Sequence, residues 1–308
     1  MPNPLHILGK RFIALPFELT CVKLIIIGGV ALDITGTIGK TRSSTLYTSS
    51  PGKVTQTLGG VGRNVCEAAM RTGANALMVS AVGDDFAGKT IRQGMKDINM
   101  VYNALHSNDG QLIAAVADMD IFQQLDSSQI TTILENEQPD LVCFDGNISS
   151  ELMCDIAKKC KMLNVPAFFE PTSVPKSLKL FDHPATVSSG AVRYISPNQF
   201  ELEVMSETAK MKLSKASEDI VFLEQSNSSA MQNQPEKSYS FIEIPPLAER
   251  VLPQALYLSN YIPNIVTKLG EYGCLLVARS DMTPVVRYFP PEPIEPKEIR
   301  SVTGAGDW

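Results

Sequence analysis

Two glycine-rich turns contain the residue types in this sequence that are best suited to chemistry. Residues 58–64 read LGGVGRN, and residues 302–307 read VTGAGD. Glycine lets the backbone approach a ligand closely, and the N–H groups at the start of a helix can bind an anion. In the second turn, the Asp307 carboxylate would stand at the mouth of such an anion site, where it could accept a proton from an attacking hydroxyl. The two turns together predict phosphoryl transfer.

Two glycine patterns, the second of which overlaps the first turn, do not fit the phosphate-binding sequences that they resemble. Residues 36–41, GTIGKT, look like the end of a P-loop, but Ile34 stands where that motif requires its first glycine. Residues 60–65 do not complete the dinucleotide-binding fingerprint, because Val65 occupies the third glycine position. Both a P-loop and an NAD-binding Rossmann domain are therefore disfavoured.

The elements that must position these turns alternate between apolar strands and amphipathic helices over most of the chain. The first strand lies in the apolar run VKLIIIGGVALDITG, which breaks at Gly28 and Gly29 and ends at Asp33. Such alternation is typical of an α/β fold with a doubly wound, mainly parallel sheet flanked by helices. Ligands of such sheets bind beyond the carboxyl ends of the strands. The residues that we expect just past strand ends are Asp33, Gly83, Asp145, Glu170, Asn198 and Gly270.

The chain is predicted to contain one domain with a small appendage. Residues 1–21 form an N-terminal extension, and residues 22–308 form the domain. Residues 34–58 are rich in Ser and Thr and poor in large apolar residues, which predicts a small β flap, or lid, outside the core. We assign residues 101–118 to the same flap.

Composition argues against several classes of function. The 308 residues include 27 basic and 33 acidic residues, for a net charge of −6, and contain no basic block, which argues against nucleic-acid binding. The 6 cysteines form no C-x-x-C pair and the 3 histidines are far apart, so we expect buried free thiols and no zinc site. No apolar run is long enough to span a membrane. We expect a cytoplasmic protein, although Lys10 and Arg11 leave a weak organelle-targeting signal open.

The order of the motifs resembles that of the ribokinase-like (pfkB) carbohydrate kinase family, from about residue 22 to residue 307. The matching segments are GGVALDI, LGGVGRNVCEAAMRTG, VGDDFAG, SPNQFEL, VTKLGEYG and VTGAGD. Within the family, the segments SSPGKVTQTLGGVGRN, AVADMDIF, FDGNIS and FFEPTS look most like those of pseudouridine kinases. The resemblance implies ATP-dependent phosphorylation of the 5′-hydroxyl of pseudouridine. Two alternatives stay open: another sugar kinase of the family, such as a ribokinase, and a non-catalytic chain that binds a nucleoside or a partner.

The resemblance also implies a role for individual residues. The nucleoside or sugar would contact Asp33, Gly59, Gly60 and Asn64, whose carboxylate and amide suit vicinal hydroxyls. The nucleotide would lie against Thr267, Gly270 and Gly273. The anion hole would comprise Gly304, Ala305 and Gly306, with Asp307 as the base. Mg²⁺ and its waters would be ordered by Asn198 and Glu201. At strand ends facing the expected cleft, we add Asp145 and Asn147 to the substrate-binding set and Glu170 to the nucleotide-binding set.

The sequence departs from the family pattern at three places. The segment after Ile98 is shorter than in relatives, which predicts a lid with one strand fewer. Ser301 stands where many members have an aspartate, so the use of a monovalent cation such as K⁺ stays open. Only Trp308 follows Asp307, and we expect a truncated chain without the C-terminal helices, whose activity is impaired. A homodimer through the flap is a further expectation that the resemblance brings.

Overall fold

The computed structural model describes residues 22–38, 52–98, 100–105, 120–213, 244–279 and 284–294. Strands and helices alternate along these residues. The strands are β1 Lys23–Ile27, β2 Ala31–Ile38, β3 Gly52–Gly59, β4 Asn75–Ala81, β5 Val101–Leu105, β6 Leu141–Asp145, β7 Ala167–Glu170, β8 Val192–Ile195, β9 Asn264–Lys268, β10 Cys274–Arg279 and β11 Pro284–Phe289. The α-helices are α1 Val61–Arg71, α2 Phe86–Asp97, α3 Ser127–Glu137, α4 Ser150–Leu163, α5 Val174–Ser177, α6 Pro184–Ser188, α7 Gln199–Lys212 and α8 Pro246–Leu258. Short 3₁₀ turns cover Asp120–Gln124, Leu178–Phe181 and Gly270–Tyr272.

The main sheet confirms the predicted doubly wound, mainly parallel architecture. Its strand order is β11-β10-β9-β8-β7-β6-β1-β4-β5, and the strands from β9 to β5 in this order run parallel. Strand β10 is antiparallel to both β9 and β11. The chain moves from β1 to β4 and β5 on one side, and then returns to place β6 on the other side of β1. The order therefore reverses between β1 and β6, and this reversal is where a ligand crevice is expected in such sheets.

The central strand β1 is apolar because both of its faces are covered. Ile25, Ile26 and Ile27 are at most 1% exposed, as expected for a strand in the middle of a parallel sheet with helices on both faces. The predicted free, buried thiols are confirmed for four cysteines, Cys66, Cys143, Cys154 and Cys160, while Cys274 is partly exposed. Burial raises the pKa of the Cys66 and Cys160 thiols to about 12, so both stay protonated and unreactive at neutral pH.

The predicted flap exists as a separate two-stranded antiparallel sheet made of β2 and β3. It begins at Ala31 and ends at Gly59, so Asp33 lies within strand β2 rather than just past the end of a main-sheet strand. The chain changes sheets at residues 28–30, where the glycine pair ends β1 and β2 begins at Ala31. The flap carries exposed apolar side chains at Ile34 and Val54.

The assignment of residues 101–118 to the flap is wrong for its first part. Val101–Leu105 forms β5, which pairs in parallel with β4 at the edge of the main sheet. The reason is that α2 returns the chain to the start of β4, so the next apolar run adds to the main sheet by a β-α-β crossover. Residues 106–118 lie outside the described part of the chain.

Two elements at the other end of the sheet were not predicted. Helix α8 contains Pro253 in its interior, which works against a helix in any sequence-based assignment. Strand β11 begins at Pro284, and proline is depleted in strands, so its sequence signal is weak. Tertiary contacts stabilise both: α8 contacts β9, β10 and α7, and β11 pairs with β10.

Candidate active site

The first glycine turn lies at the point where the strand order reverses. Gly60 precedes α1 with a φ of 96°, and a Cβ on this residue would lie 2.6 Å from Gly29 O. A Cβ on Gly62 would lie 2.9 Å from the carbonyl carbon of Gly28. Glycine is required at Gly60 because of its positive φ and the close backbone approach, and at Gly62 because of the close approach alone. The start of α1 is therefore packed directly on the carboxyl end of β1.

Asp145, at the end of β6, lies in the same crevice and is 1% exposed. Its Oδ2 accepts hydrogen bonds from Gly29 N at 2.8 Å and Asn147 Nδ2 at 3.0 Å, and its Oδ1 accepts from Asn147 N at 2.9 Å. Burial raises the pKa of the Asp145 carboxyl, and backbone hydrogen bonds, including one from Gly62, oppose the rise. The group that accepts a hydrogen bond at the start of α1 is thus a side chain of the protein itself, the Asp145 carboxyl, which bonds to the backbone N–H of Gly62.

Replacing Asp145 by alanine is expected to lower the free energy of unfolding by about 3 kcal/mol. The substitution leaves several buried N–H donors without an acceptor, and each costs about 1–3 kcal/mol. Removal of the buried carboxyl offsets part of this cost. Urea unfolding followed by circular dichroism measures the change. The matched control is Asp140→Ala, at the exposed opposite end of β6, where the carboxylate accepts one backbone N–H from Lys23 at 2.8 Å. A loss no larger for Asp145→Ala than for Asp140→Ala would contradict the central role of this carboxylate.

The turn after β6 is held by side chains from the segment that follows β7. Lys176 Nζ donates to Asn147 Oδ1 at 2.5 Å, and Lys179 Nζ donates to the carbonyl oxygens of Gly146 at 3.2 Å and Ile148 at 3.0 Å. Burial lowers the pKa of the Lys179 ammonium, and the neighbouring Lys176 charge lowers it further. Asn147, which we predicted to bind substrate, is 1% exposed and is fixed between Lys176 and Asp145.

Thr172 also stabilises the turn after β6, and its own backbone has a positive φ. Its φ is 70°, a left-handed conformation that β-branched residues rarely adopt. Its Oγ1 accepts a hydrogen bond from Gly146 N at 2.9 Å, so the bond that the side chain makes helps to hold the strained backbone. Strain of this kind tends to be kept at functional sites, and here it lies two residues after Glu170.

Glu170 is the centre of a buried polar network at the ends of β7, β8 and β9. It is 3% exposed, its Oε1 accepts from Lys268 Nζ at 2.8 Å, and its Oε2 accepts from Ser196 Oγ. Burial raises the pKa of the Glu170 carboxyl, the Lys268 ammonium lowers it, and the Glu201 carboxylate adds to the rise. Removing Lys268 would leave a buried carboxylate without its countercharge, so Glu170 and Lys268 act as a unit.

Asn198 and Glu201 form a reciprocal capping box at the start of α7. Asn198 Oδ1 accepts from the backbone N of Phe200 and Glu201, both at 2.9 Å, and Glu201 Oε2 accepts from Asn198 N at 2.8 Å. Such a box stabilises the helix terminus by itself. Glu201 is 3% exposed, so its oxygens, although of the type that Mg²⁺ prefers, fit contact through the ion's waters better than direct coordination. Within the described ranges, no cluster of three or more His, Cys, Asp and Glu side chains has a metal-binding arrangement.

The flap brings two of the predicted substrate-binding residues together. Asp33 pairs with Thr57 across the flap, and its carboxylate lies over Gly59, where an added Cβ would overlap Asp33 Oδ2. Asn64 follows in the first turn of α1, and its Oδ1 accepts a hydrogen bond from the Arg63 guanidinium at 3.0 Å. Asp33, Gly59, Gly60 and Asn64 thus lie along one continuous path from β2 through the end of β3 into α1.

The predicted nucleotide-binding residues lie at the end of β9 and in the turn that follows. Gly270 and Gly273 have φ values of 62° and 78°, which explains why glycine stands at both positions of this turn. Thr267 is fully buried, and its Oγ1 has no hydrogen-bond partner within the described part of the chain. The remaining predicted residues, Gly304, Ala305, Gly306 and Asp307, lie outside the described residues, as does Ser301.

Sequence reasoning missed the cations of this site. Lys176 and Lys179 are spaced three residues apart in the segment that follows the strand AFFE, and this spacing could have indicated two neighbouring ammonium groups. Lys268 could have been found as the charged residue that ends the strand NIVTK, β9. Arg63 gave no such signal, because its bond to Leu58 O at the end of the flap becomes apparent only in three dimensions.

A family model described as pfkB family carbohydrate kinase matches residues 23–308 of the chain. The pseudouridine-metabolizing bifunctional protein of Schizosaccharomyces pombe is 32% identical over 283 residues, which are 85% of this chain and 36% of that protein. The pseudouridine kinase of Escherichia coli is 28% identical over 199 residues, 59% of this chain and 60% of that enzyme. The chain thus spans less than two thirds of the length of both relatives.

Solved structures share the fold at low sequence identity. The ribokinase of Cryptococcus neoformans in complex with ADP superposes with a TM-score of 0.62 at 15% identity, covering 93% of this chain and 84% of that one. The Arabidopsis thaliana ribokinase complexed with ribose and ATP superposes with a TM-score of 0.59 at 19% identity, covering 93% of this chain and 83% of that one. The chain therefore has a ribokinase-like fold. None of the helices in the described ranges is long and apolar enough to cross a membrane.

Proposed function

The chain belongs to the pfkB family of carbohydrate kinases, and from this premise we propose that it transfers the γ-phosphoryl group of ATP to the 5′-hydroxyl of pseudouridine. The observation that carries the proposal is the continuous path of Asp33, Gly59, Gly60 and Asn64 beside the strand-order reversal. It combines a carboxylate, an amide and two close-approach glycines, a set that suits the vicinal hydroxyls of a ribosyl group. Similarity to two proteins named for pseudouridine supports the choice of nucleoside.

In the proposed reaction, the residues of the chain bind, orient and remove one proton. Asp33 and Asn64 hold the sugar hydroxyls, so the 5′-oxygen is presented to the donor in a fixed direction. The Asp307 carboxylate accepts the 5′-hydroxyl proton as the bond from O5′ to the γ-phosphorus forms and the bond to the β-phosphate oxygen breaks, releasing ADP. The backbone N–H groups of Gly304, Ala305 and Gly306 stabilise the charge on the transferred group.

Lys268 and Glu201 complete the proposed donor half of the site. A bound Mg²⁺ ion would neutralise part of the phosphate charge there, and Asn198 and Glu201 would hold it through its waters. Glu170 keeps the Lys268 ammonium in place at 2.8 Å, so a fixed cation stands next to Asn198, with which Lys268 forms a β-bridge. The use of K⁺ and a homodimer through the flap stay predictions.

The function is tested by supplying the purified chain with ATP, Mg²⁺ and, in separate reactions, pseudouridine, uridine or ribose. We expect pseudouridine 5′-phosphate, identified by mass spectrometry, with a kcat/KM at least tenfold above those of the other two acceptors. A preference for ribose would favour the ribokinase-type alternative. Binding of pseudouridine by calorimetry without phosphorylation of any acceptor would favour the non-catalytic alternative and overturn the proposal.

A further inference from the structure

Arg63 occupies a position that is unfavourable for a cation unless its partners compensate. It lies in the first turn of α1, where the helix dipole is positive, and its side chain is only 13% exposed. No acidic residue lies within that first turn. A partly buried guanidinium at the positive end of a helix costs free energy. The contacts of Arg63 must compensate this cost, and they indicate its role.

The guanidinium joins three structural parts. Nη1 donates to the carbonyl oxygen of Leu58 at 3.2 Å, at the end of flap strand β3, and to Asn64 Oδ1 at 3.0 Å. Nη2 forms an ion pair with Glu67, one helical turn further along α1. Glu67 is 8% exposed, so its carboxylate is a largely desolvated anchor that holds the guanidinium in one orientation.

Arg71 provides an internal comparison. It also bonds to Glu67, with Nε 3.0 Å from Oε1, but its side chain is 68% exposed and lies about two helical turns further from the flap than Arg63. Both arginines therefore share one carboxylate, while Arg63 is the one for which the structure records contacts to Leu58 and Asn64.

We propose that Arg63 is a positioning residue for the nucleoside, acting through Asn64 and through the end of the flap; this inference rests on the proposed function. The bond that Asn64 Oδ1 accepts from Arg63 fixes the plane of the Asn64 amide, so that the amide meets the sugar hydroxyls in one orientation. The bond to Leu58 O fixes the last residue before Gly59 and, with it, the angle at which the flap carries Asp33 over the sugar.

The shape of the guanidinium explains why arginine performs this task. Its planar fork of donors reaches Leu58 O, Asn64 Oδ1 and Glu67 at once, whereas an ammonium is a point charge that would satisfy fewer of them in fixed directions. We therefore expect Arg63→Lys to keep the pairing with Glu67 but to lose part of the control over Asn64 and the flap.

The test compares Arg63→Ala, Arg63→Lys and the control Arg71→Ala by steady-state kinetics and by calorimetric binding of pseudouridine without ATP. We expect Arg63→Ala to raise KM and Kd by about tenfold with kcat within about threefold, since a hydrogen bond to a charged group is lost. Arg63→Lys should give an intermediate KM, and Arg71→Ala should match the wild type. Equal KM values for Arg63→Ala and Arg71→Ala would overturn the inference.

A double-mutant cycle separates positioning from general destabilisation. If Arg63 acts through Asn64, then Arg63→Ala should raise Kd much less in an Asn64→Ala background than in the wild type. Fully additive effects on Kd would contradict the role assigned to Asn64.

Hydrogen exchange of the flap keeps this inference distinct from the proposed function. Arg63→Ala should speed amide exchange along β3 relative to Arg71→Ala, whatever the substrate is. If Arg63→Ala speeds exchange but the chain phosphorylates ribose and not pseudouridine, the proposed function is refuted and the role of Arg63 stands. The Kd values of the variants are then compared with ribose as the ligand. Unchanged exchange and KM in a chain that phosphorylates pseudouridine would refute the inference alone.

Discussion

Replacing Asp307 by asparagine is expected to reduce kcat for pseudouridine phosphorylation by about 10²–10⁴-fold, the usual contribution of a general base. The amide is nearly isosteric with the carboxylate but cannot accept the 5′-hydroxyl proton. KM for both substrates should change little, because the lost interaction acts in the transition state and hardly in the ground state. The motif around Asp307 is the strongest chemical signal in the sequence.

The measurement is a comparison of initial rates at saturating ATP and pseudouridine. Asp182→Asn is a suitable control, since Asp182 is a half-exposed carboxylate that pairs with Lys212 at 2.9 Å on the protein surface, and it should retain the wild-type rate. If Asp307→Asn keeps more than about a tenth of the wild-type kcat, the reduction is smaller than the contribution of a general base, and that role is refuted.

The second large effect is expected at Asp33. Asp33→Ala should lower kcat/KM for the nucleoside by about 10²-fold, mainly through KM, because one carboxylate accepting from vicinal hydroxyls contributes about 3 kcal/mol in total. Gly59→Ala should produce a similar loss without removing any functional group, since the new Cβ would overlap Asp33 Oδ2 and displace the carboxylate.

The control for both variants is Lys53→Ala. Lys53 lies at the opposite end of β3 from Gly59, where it pairs with Thr37. This control should keep the wild-type KM. Thermal melts of the three variants identify any that fails to fold. A normal KM in a folded Gly59→Ala chain would show that the position of Asp33 above Gly59 does not matter for binding.

The fold class could be predicted because its signals are local. The alternation of apolar runs with amphipathic segments predicted a mainly parallel, doubly wound sheet, and the strand order confirms it. The flap was recognisable from its Ser- and Thr-rich composition. Its limits were not, because Ala31 and Leu32 are as apolar as the residues of β1, and only hydrogen bonding to β3 shows that they belong to another sheet.

The site was predicted in its residue types but not in their connections. Asp145 and Asn147 stand at a strand end as expected, yet their side chains bond to each other, to Gly29 and to Lys176. The pairing of Asn198 with Glu201 could be read from their spacing, since a capping box is a contact over three residues. Arg63 could not be assigned, because its bond to the flap depends on how β3 enters α1.

The sequence by itself determined the family, the layered α/β architecture and the motif that would perform phosphoryl transfer, because these depend on residue order and short-range periodicity. Only the tertiary structure decided which polar groups at the strand ends hold one another in place. Asp145 bonds to a residue 116 positions away and Glu170 to one 98 positions away. No local pattern contains such pairs; they form when the parallel sheet gathers distant strand ends at one edge, where burial makes each unpaired polar group costly.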